Sequence, residues 1–217
     1  NDMTRMGTRF PKTTKKKTMT IDTTVGNYIF FTVGVIFGYV LSANFKAEKV
    51  EDWKGRTVRT SRSPVAVETF KLLGAKPMEH IALEEMNEYA DKGVITAGES
   101  TYVRIFPLDQ YKSFEFVNDT AHSLFLTSII VNQDFFAQFG QDVQEIMSTA
   151  AFNAARKERR ESVESIPSVL AECEAQGVEV VKMDAQEEAK FREVTSKVYD
   201  LYANYFSKDL VKRIKLH

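Results

Sequence analysis

The chain has 217 residues, 43% of them apolar and 27% charged, with 29 Lys+Arg against 30 Asp+Glu and a formal net charge of -1. That balance excludes a collagen-like, low-complexity or wholly disordered chain, and a pI near 6.4 supplies no global field for phosphate, so no nucleic-acid partner is expected. The lone Cys173 excludes an intrachain disulfide framework and cannot by itself make a zinc site, which leaves an apolar core to hold the fold.

The first twenty residues carry Arg5, Arg9, Lys12, Lys15, Lys16 and Lys17 against Asp2, with Pro11 and many threonines and no apolar period. Residues 25–45, VGNYIFFTVGVIFGYVLSANF, are 21 consecutive uncharged residues. As a helix rising about 1.5 Å per residue they would span roughly 30 Å, a bilayer's hydrocarbon core. Tyr28 and Tyr39 near the ends, and a lysine cluster on one side only, add to that reading. The expectation is a transmembrane helix over 25–45, a basic cytoplasmic tail over 1–24 and an extracytoplasmic domain over 46–217, with Gly34 and Gly38 as a G-x-x-x-G helix-packing pair. A pair of buried strands is the rival, because β-branched and aromatic residues dominate and Gly26, Gly34 and Gly38 would punctuate them. A cleaved signal peptide fits less well, since the apolar stretch is long and no small-x-small pattern closes it.

After Phe45, a turn is expected at Lys54-Gly55 followed by a short strand, then a helix over PVAVETFKLLG stopped by Gly74. MEHIALEEMNEYADKG reads as strand then helix closing at Gly93, and VITAGES as a buried strand. Strand-like runs follow over 111–132, ending in FLTSIIVN. Two long helical stretches come last, QDVQEIMSTAAFNAARKERRESVES and, after the VEVVKM strand, AQEEAKFREVTSKVYDLYANYFSKDLVKRI. Alternating strand and helix predicts an α/β fold with a mostly parallel sheet.

The run EDWKGRTVRTSRSPVAVETFKLLGAKP resembles the hinge-proximal segment of the solute-binding proteins of TRAP-type (tripartite ATP-independent periplasmic) transporters, with its D-x-K-G-x-K-x-R, helix and L-G-A-x-P. GVITAGES is similar to that family's G-V-x-D-G-x-E-N, NDTAHSLFLTSIIVN to its T-x-H strand region, and QDVQEIMSTAAFNAARKERR to the helix after its P-E-D-x-Q turn. The resemblance covers residues 49 to about 205 and implies a periplasmic-binding-protein-like lobe. It implies that Arg59 forms a bidentate salt bridge to the carboxylate of an organic acid, that Arg62 and Ser63 lie in a ligand-touching loop, and that Glu99 and Ser100 stand for the E-N pair, with a structural hydrogen bond as Glu99's role. A solvated strand end is the alternative for Arg59 and Arg62. Departures are Val40 where the family has a second Arg, Thr96-Ala97 for its D-G, and Ser100 for its Asn. The family's cleft lies between two lobes, and this chain enters the pattern at the second.

No catalytic constellation is visible. His80, His122 and His217 lack metal-ligand spacing, and no G-x-S-x-G, P-loop or Rossmann glycine pattern occurs, so neither enzyme activity, metal nor cofactor is expected. Cys173 lies among acidic residues that would raise its pKa. Arg156 to Arg160 read as a salt-bridged face with Glu161 and Glu164, and Lys208, Lys212, Arg213 and Lys215 as cations suited to a helix C-terminus.

These readings combine into a single-pass protein of the bacterial inner membrane, its domain periplasmic. The leading expectation is an accessory subunit, held by its helix and lobe to the bilayer and to a larger membrane complex of the photosynthetic reaction-centre–antenna or respiratory kind. The alternative is an organic-anion receptor of a TRAP-type transporter, with Arg59 on the carboxylate.

Overall fold

The computed structural model describes residues 28–205 together with 209, 211 and 212, with side chains from residue 39 onward. The tail over 1–24 and Lys208, Arg213 and Lys215 lie outside the described residues. In chain order the elements are β1 (Tyr28–Gly38), β2 (Val40–Ala43), β3 (Thr57–Arg59), α1 (Pro64–Leu72), β4 (Lys76–Met78), α2 (Met86–Asp91), β5 (Ala97–Ser100), β6 (Phe116–Asn118), β7 (Leu124–Asn132), α3 (Gln133–Ala137), α4 (Gln141–Ala175), β8 (Glu179–Val181), α5 (Ala185–Ser196) and α6 (Val198–Leu201).

From residue 28 the segment that reads as a transmembrane helix forms two strands. β1 pairs antiparallel with β7, from Tyr28 opposite Asn132 to Gly38 opposite Leu124, with a register shift between Val33 and Phe37. Gly34 therefore lies at the irregularity and Gly38 at the strand end, and neither belongs to a helix. An uncharged run of this length satisfies a membrane helix and a pair of buried strands equally by hydropathy, but its Val, Ile, Phe, Tyr and Thr lose χ1 freedom in a helix and suit a pleated surface. β7 supplies the ladder partner that decides between them. Among the described residues no helix is long and apolar enough to cross a membrane.

β1 leads through Tyr39 into β2, the fourth strand of a six-stranded sheet ordered β4-β3-β5-β2-β6-β8. The sheet is mixed rather than mostly parallel: β3 runs parallel to β4 and β5, and β6 to β8, while β2 runs antiparallel to both its neighbours. All four β2 residues are buried, because both faces of the sheet are covered. Leu41 and Ala43 join one core cluster with Trp53, Val58, Phe70 and Phe191, and Val40 joins another with Ile105, Val117 and Cys173. That division follows the alternation of side chains along a strand. A third cluster gathers Ile81, Met86, Ile95 and Phe114 under α2.

Local chemistry sets the boundaries. Pro64 opens α1, where its missing N–H costs nothing. Gly74 closes it at φ +76°, letting Ala75 N–H reach Phe70 O at 2.9 Å. Asp184 caps α5 by accepting from the N–H groups of Gln186 and Glu187, both at 2.9 Å. The helix expected to run unbroken from 185 is interrupted after Ser196, and α6 follows as a separate turn. The first long helix instead exceeds its expected end, running 35 residues with Pro167 inside it. Glu187 accepts from Val50 N–H at 2.9 Å and Lys190 bonds Glu51 at 2.5 Å, which fixes α5 over the turn that buries Trp53.

Candidate functional site

Sheet register assembles the site. β3 and β5 run parallel with Arg59 opposite Gly98, so Arg59 and Glu99 emerge at the carboxyl ends of adjacent strands. The same sheet edge receives both passages between the two sheets: Tyr39 joins β1 to β2, residues 119–123 join β6 to β7, and Tyr39 N–H donates to Ser123 O at 2.8 Å. A crevice outside the carboxyl ends of strands, where connections change direction, is where α/β sheets bind ligands.

Glu99 is 3% exposed. One of its oxygens accepts from the Thr60 hydroxyl and from Ser61 N–H at 2.8 Å, and the other lies 3.0 Å from His122 Nε2. The far nitrogen of that ring, Nδ1, is 2.7 Å from Thr120 Oγ1, itself 3.4 Å from Tyr39 O. His122 is wedged between rings, with Phe70 at 5.5 Å and Tyr39 at 5.8 Å between centroids. Burial alone would push the Glu99 carboxyl up, but the hydrogen bonds from His122, Thr60 and Ser61 outweigh it and hold the group below the usual carboxylate range. A carboxylate so engaged is a structural clamp joining three chain segments.

Arg59 differs. It is half-buried, its Nε donates to Ile81 O at 3.0 Å, and no carboxylate among the described residues pairs with it. Burial lowers its pKa against the opposing fields of Glu99, Tyr39 and Glu84, but a guanidinium remains a cation under such a shift. With Nε anchored on a backbone carbonyl, the two terminal nitrogens are left to meet a planar acid. Burial, and then the charge of Glu99, raise the Tyr39 phenol.

Of the other residues singled out from the sequence, Arg62 and Ser63 lie exposed in the loop after β3, and Ser63 caps α1 without a side-chain bond. Ser100 is fully buried, with its hydroxyl 3.5 Å from Thr101 O. Val40 pairs with Ser100 and is fully buried in an apolar cluster, so that position has no room for a second guanidinium. The sequence marks His122 only through its T-x-H resemblance, without metal-ligand spacing, and Tyr39 only as an aromatic near the end of the apolar run, while Thr60 carries no signal of its own. The Thr120-x-His122 pattern was the available signal. Two surface cavities, about 530 Å³ beside β8 and about 410 Å³ on the arginine face of α4, share no lining residue with this site.

The model of bacterial extracellular solute-binding protein family 7 (DctP) matches residues 38–208. The chain belongs to this family. Among curated relatives, an uncharacterised protein of Haemophilus influenzae is 25% identical over 166 residues, 76% of this chain and 50% of that protein. The ectoine-binding periplasmic protein TeaA of Halomonas elongata is 27% identical over 112 residues, 52% of this chain and 33% of that one. The fold matches that of a TRAP periplasmic solute-binding protein of Ralstonia eutropha, solved with bound (S)-2-acetolactate, at TM-score 0.78 and 24% identity over 86% of this chain and 61% of that one. The chain thus spans half or less of these curated relatives and about three-fifths of the solved one.

Proposed function

We propose that this chain is the carboxylate-holding lobe of a TRAP-type solute-binding protein, a periplasmic receptor that presents an organic acid to a membrane permease. The observation that carries the reading is Arg59: a half-buried guanidinium at the carboxyl end of β3, anchored through Nε and lacking a carboxylate partner among the described residues. A rigid fork at such a position is suited to bidentate recognition of a planar acid. Membership of family 7, and a fold shared with a relative solved around an organic acid, support it. Glu99 and His122 then serve as positioning residues, holding the loop after β3 so that Arg59 keeps its aim. Arg62 and Ser63 complete the rim of that loop.

One support of the accessory-subunit reading is a transmembrane helix over 25–45. That segment is strand from residue 28, and neither the fold nor the relatives point to a photosynthetic or respiratory host.

Calorimetric titration with small organic acids tests the proposal. Arg59→Gln is expected to weaken carboxylate binding by at least about tenfold, the worth of a charge-assisted hydrogen-bond pair, with an unchanged far-ultraviolet circular dichroism spectrum. Equal affinities in the two proteins would remove Arg59 from the site.

A further inference from the structure

We propose that the open edge of β8, with the end of α4 beside it, is a docking groove for an extended peptide segment of a partner protein, one carrying an apolar side chain and, two residues later, a basic one. β8 ends the six-stranded sheet on the side opposite β4. Hydrogen bonds show how the two edges differ. In β4, Lys76 N–H donates to Arg56 O at 2.7 Å and Met78 O accepts from Thr60 N–H at 3.4 Å, so the residue turned outward is Pro77, which has no N–H to offer. A proline at that position blunts an edge against further pairing. In β8, Glu179 N–H donates to Glu115 O at 3.0 Å and Val181 O accepts from Asp119 N–H at 2.8 Å, so both residues face β6. Successive residues of a strand alternate in direction, and Val180 therefore turns both its N–H and its C=O to the open side.

Beside that edge lies the cavity of about 530 Å³, lined by Leu170 and Glu174 of α4 together with Val178, Val180 and Lys182. Leu170 and Val180 pack on the cluster that holds Val178 and Cys173, which makes the floor apolar. A strand that exchanges both hydrogen bonds with Val180 runs antiparallel to β8, and its residue opposite Val180 points to the same face, beside Leu170. That residue is best apolar. The residue two positions later stands opposite Val178, whose N–H donates to Cys173 O at 2.8 Å and which is thereby held at the last turn of α4, where Glu174 lies. Glu179 is paired with Lys46 at 2.7 Å and Lys182 with Asp119 at 3.4 Å, whereas Glu174 is exposed and in no ion pair among the described residues. A basic side chain is its complement. Main-chain bonds to the edge supply affinity, and the alternate side chains supply selection. The groove shares no residue with the site around Arg59 and Glu99.

The test is fluorescence anisotropy of labelled, end-capped peptides TVTXTKTS, with X as Val, Leu or Phe, titrated with the whole chain. At least one of the three is expected to bind saturably. Methylating the backbone nitrogen of X removes the donor that meets Val180 O and is expected to weaken binding about fivefold or more, the scale of one hydrogen bond. Val180→Pro removes the matching protein donor at a position not bonded to β6 and is expected to do the same. Glu174→Lys is expected to weaken the lysine peptides about threefold and to favour peptides with Glu in place of Lys, the scale of an exposed ion pair. Circular dichroism checks that each variant folds; if Val180→Pro does not, the methylated peptides and Glu174→Lys carry the test. No saturable binding by any of the three peptides, binding indifferent to methylation, or an unchanged charge preference in Glu174→Lys overturns the assignment. Sedimentation showing dimers of the wild type that Val180→Pro or Glu174→Lys dissolves would give the edge to a second copy of this chain and overturn it as well.

Discussion

Glu99 must be buried as a charge, and its surroundings show how that is achieved. Three donors from two separate parts of the chain converge on two oxygens, replacing the water that burial removed. Its folded-state pKa is depressed, so the unfolded chain binds this proton more readily than the folded one. The resulting stability is fully present above the unfolded value, about 4.3, and is lost as pH falls through the lower folded value. E99Q keeps the shape but removes the charge. It is expected to lower stability at neutral pH by about 1–3 kcal/mol, the cost of disturbing a buried hydrogen-bonded group, and to flatten the acid limb of stability against pH. Urea midpoints measured from neutral pH into the acid range check both parts; a variant that retains the full acid slope would assign that slope to other carboxylates.

At the scale of elements, close approach of β5 to α2 sets a sharp constraint. Gly98 lies opposite Arg59 in the sheet, and a Cβ built there would lie 2.1 Å from Met86 Sδ and 2.9 Å from its Cγ. Met86 is fully buried and cannot swing clear into solvent. Gly98→Ala is therefore expected to cost about 1–3 kcal/mol by overpacking, and to disturb Arg59 through the shared register. Met86→Ala alone leaves a cavity worth roughly 2–5 kcal/mol. The double variant is expected to be more stable than the sum of the two losses, because each change relieves the other's fault. Simple additivity in a thermal-unfolding cycle would mean that Met86 is not the obstacle.

The same elements show what a sequence reveals. Turns at Gly55 and Gly74, the opening of α1 at Pro64 and the buried β5 were legible because each depends on local backbone chemistry. β1 and β2 were not, since only the distant β7, β5 and β6 determine that an uncharged run is strand. Arg59 and Glu99 were legible through a family pattern. The contact of Glu99 with His122 crosses 23 positions and exists only once β5 and the passage into β7 share a sheet edge.

For the whole molecule the open question lies on the far side of the β1–β7 ribbon. Leu124, Leu126 and Ile130 occupy alternate positions of β7, share one face and are 56%, 63% and 53% exposed. Phe135 in α3 and Ile146 in α4 are also apolar and exposed, at 50% and 66%. A two-stranded ribbon whose apolar face and edges are uncovered among the described residues is a site of association, since a second apolar surface would remove both faces from water. The compact six-stranded lobe has no comparable need, with its β2 strand buried on both faces. The chain by itself is therefore expected to self-associate as concentration rises, with the lobe intact. Leu126→Lys places a charge at the most exposed of the three β7 positions and is expected to shift sedimentation towards the monomer. It should leave the circular dichroism spectrum and Arg59-dependent carboxylate binding as they are. Association that persists undiminished in Leu126→Lys and in a combined Leu124→Lys/Ile130→Lys variant would locate the contact elsewhere.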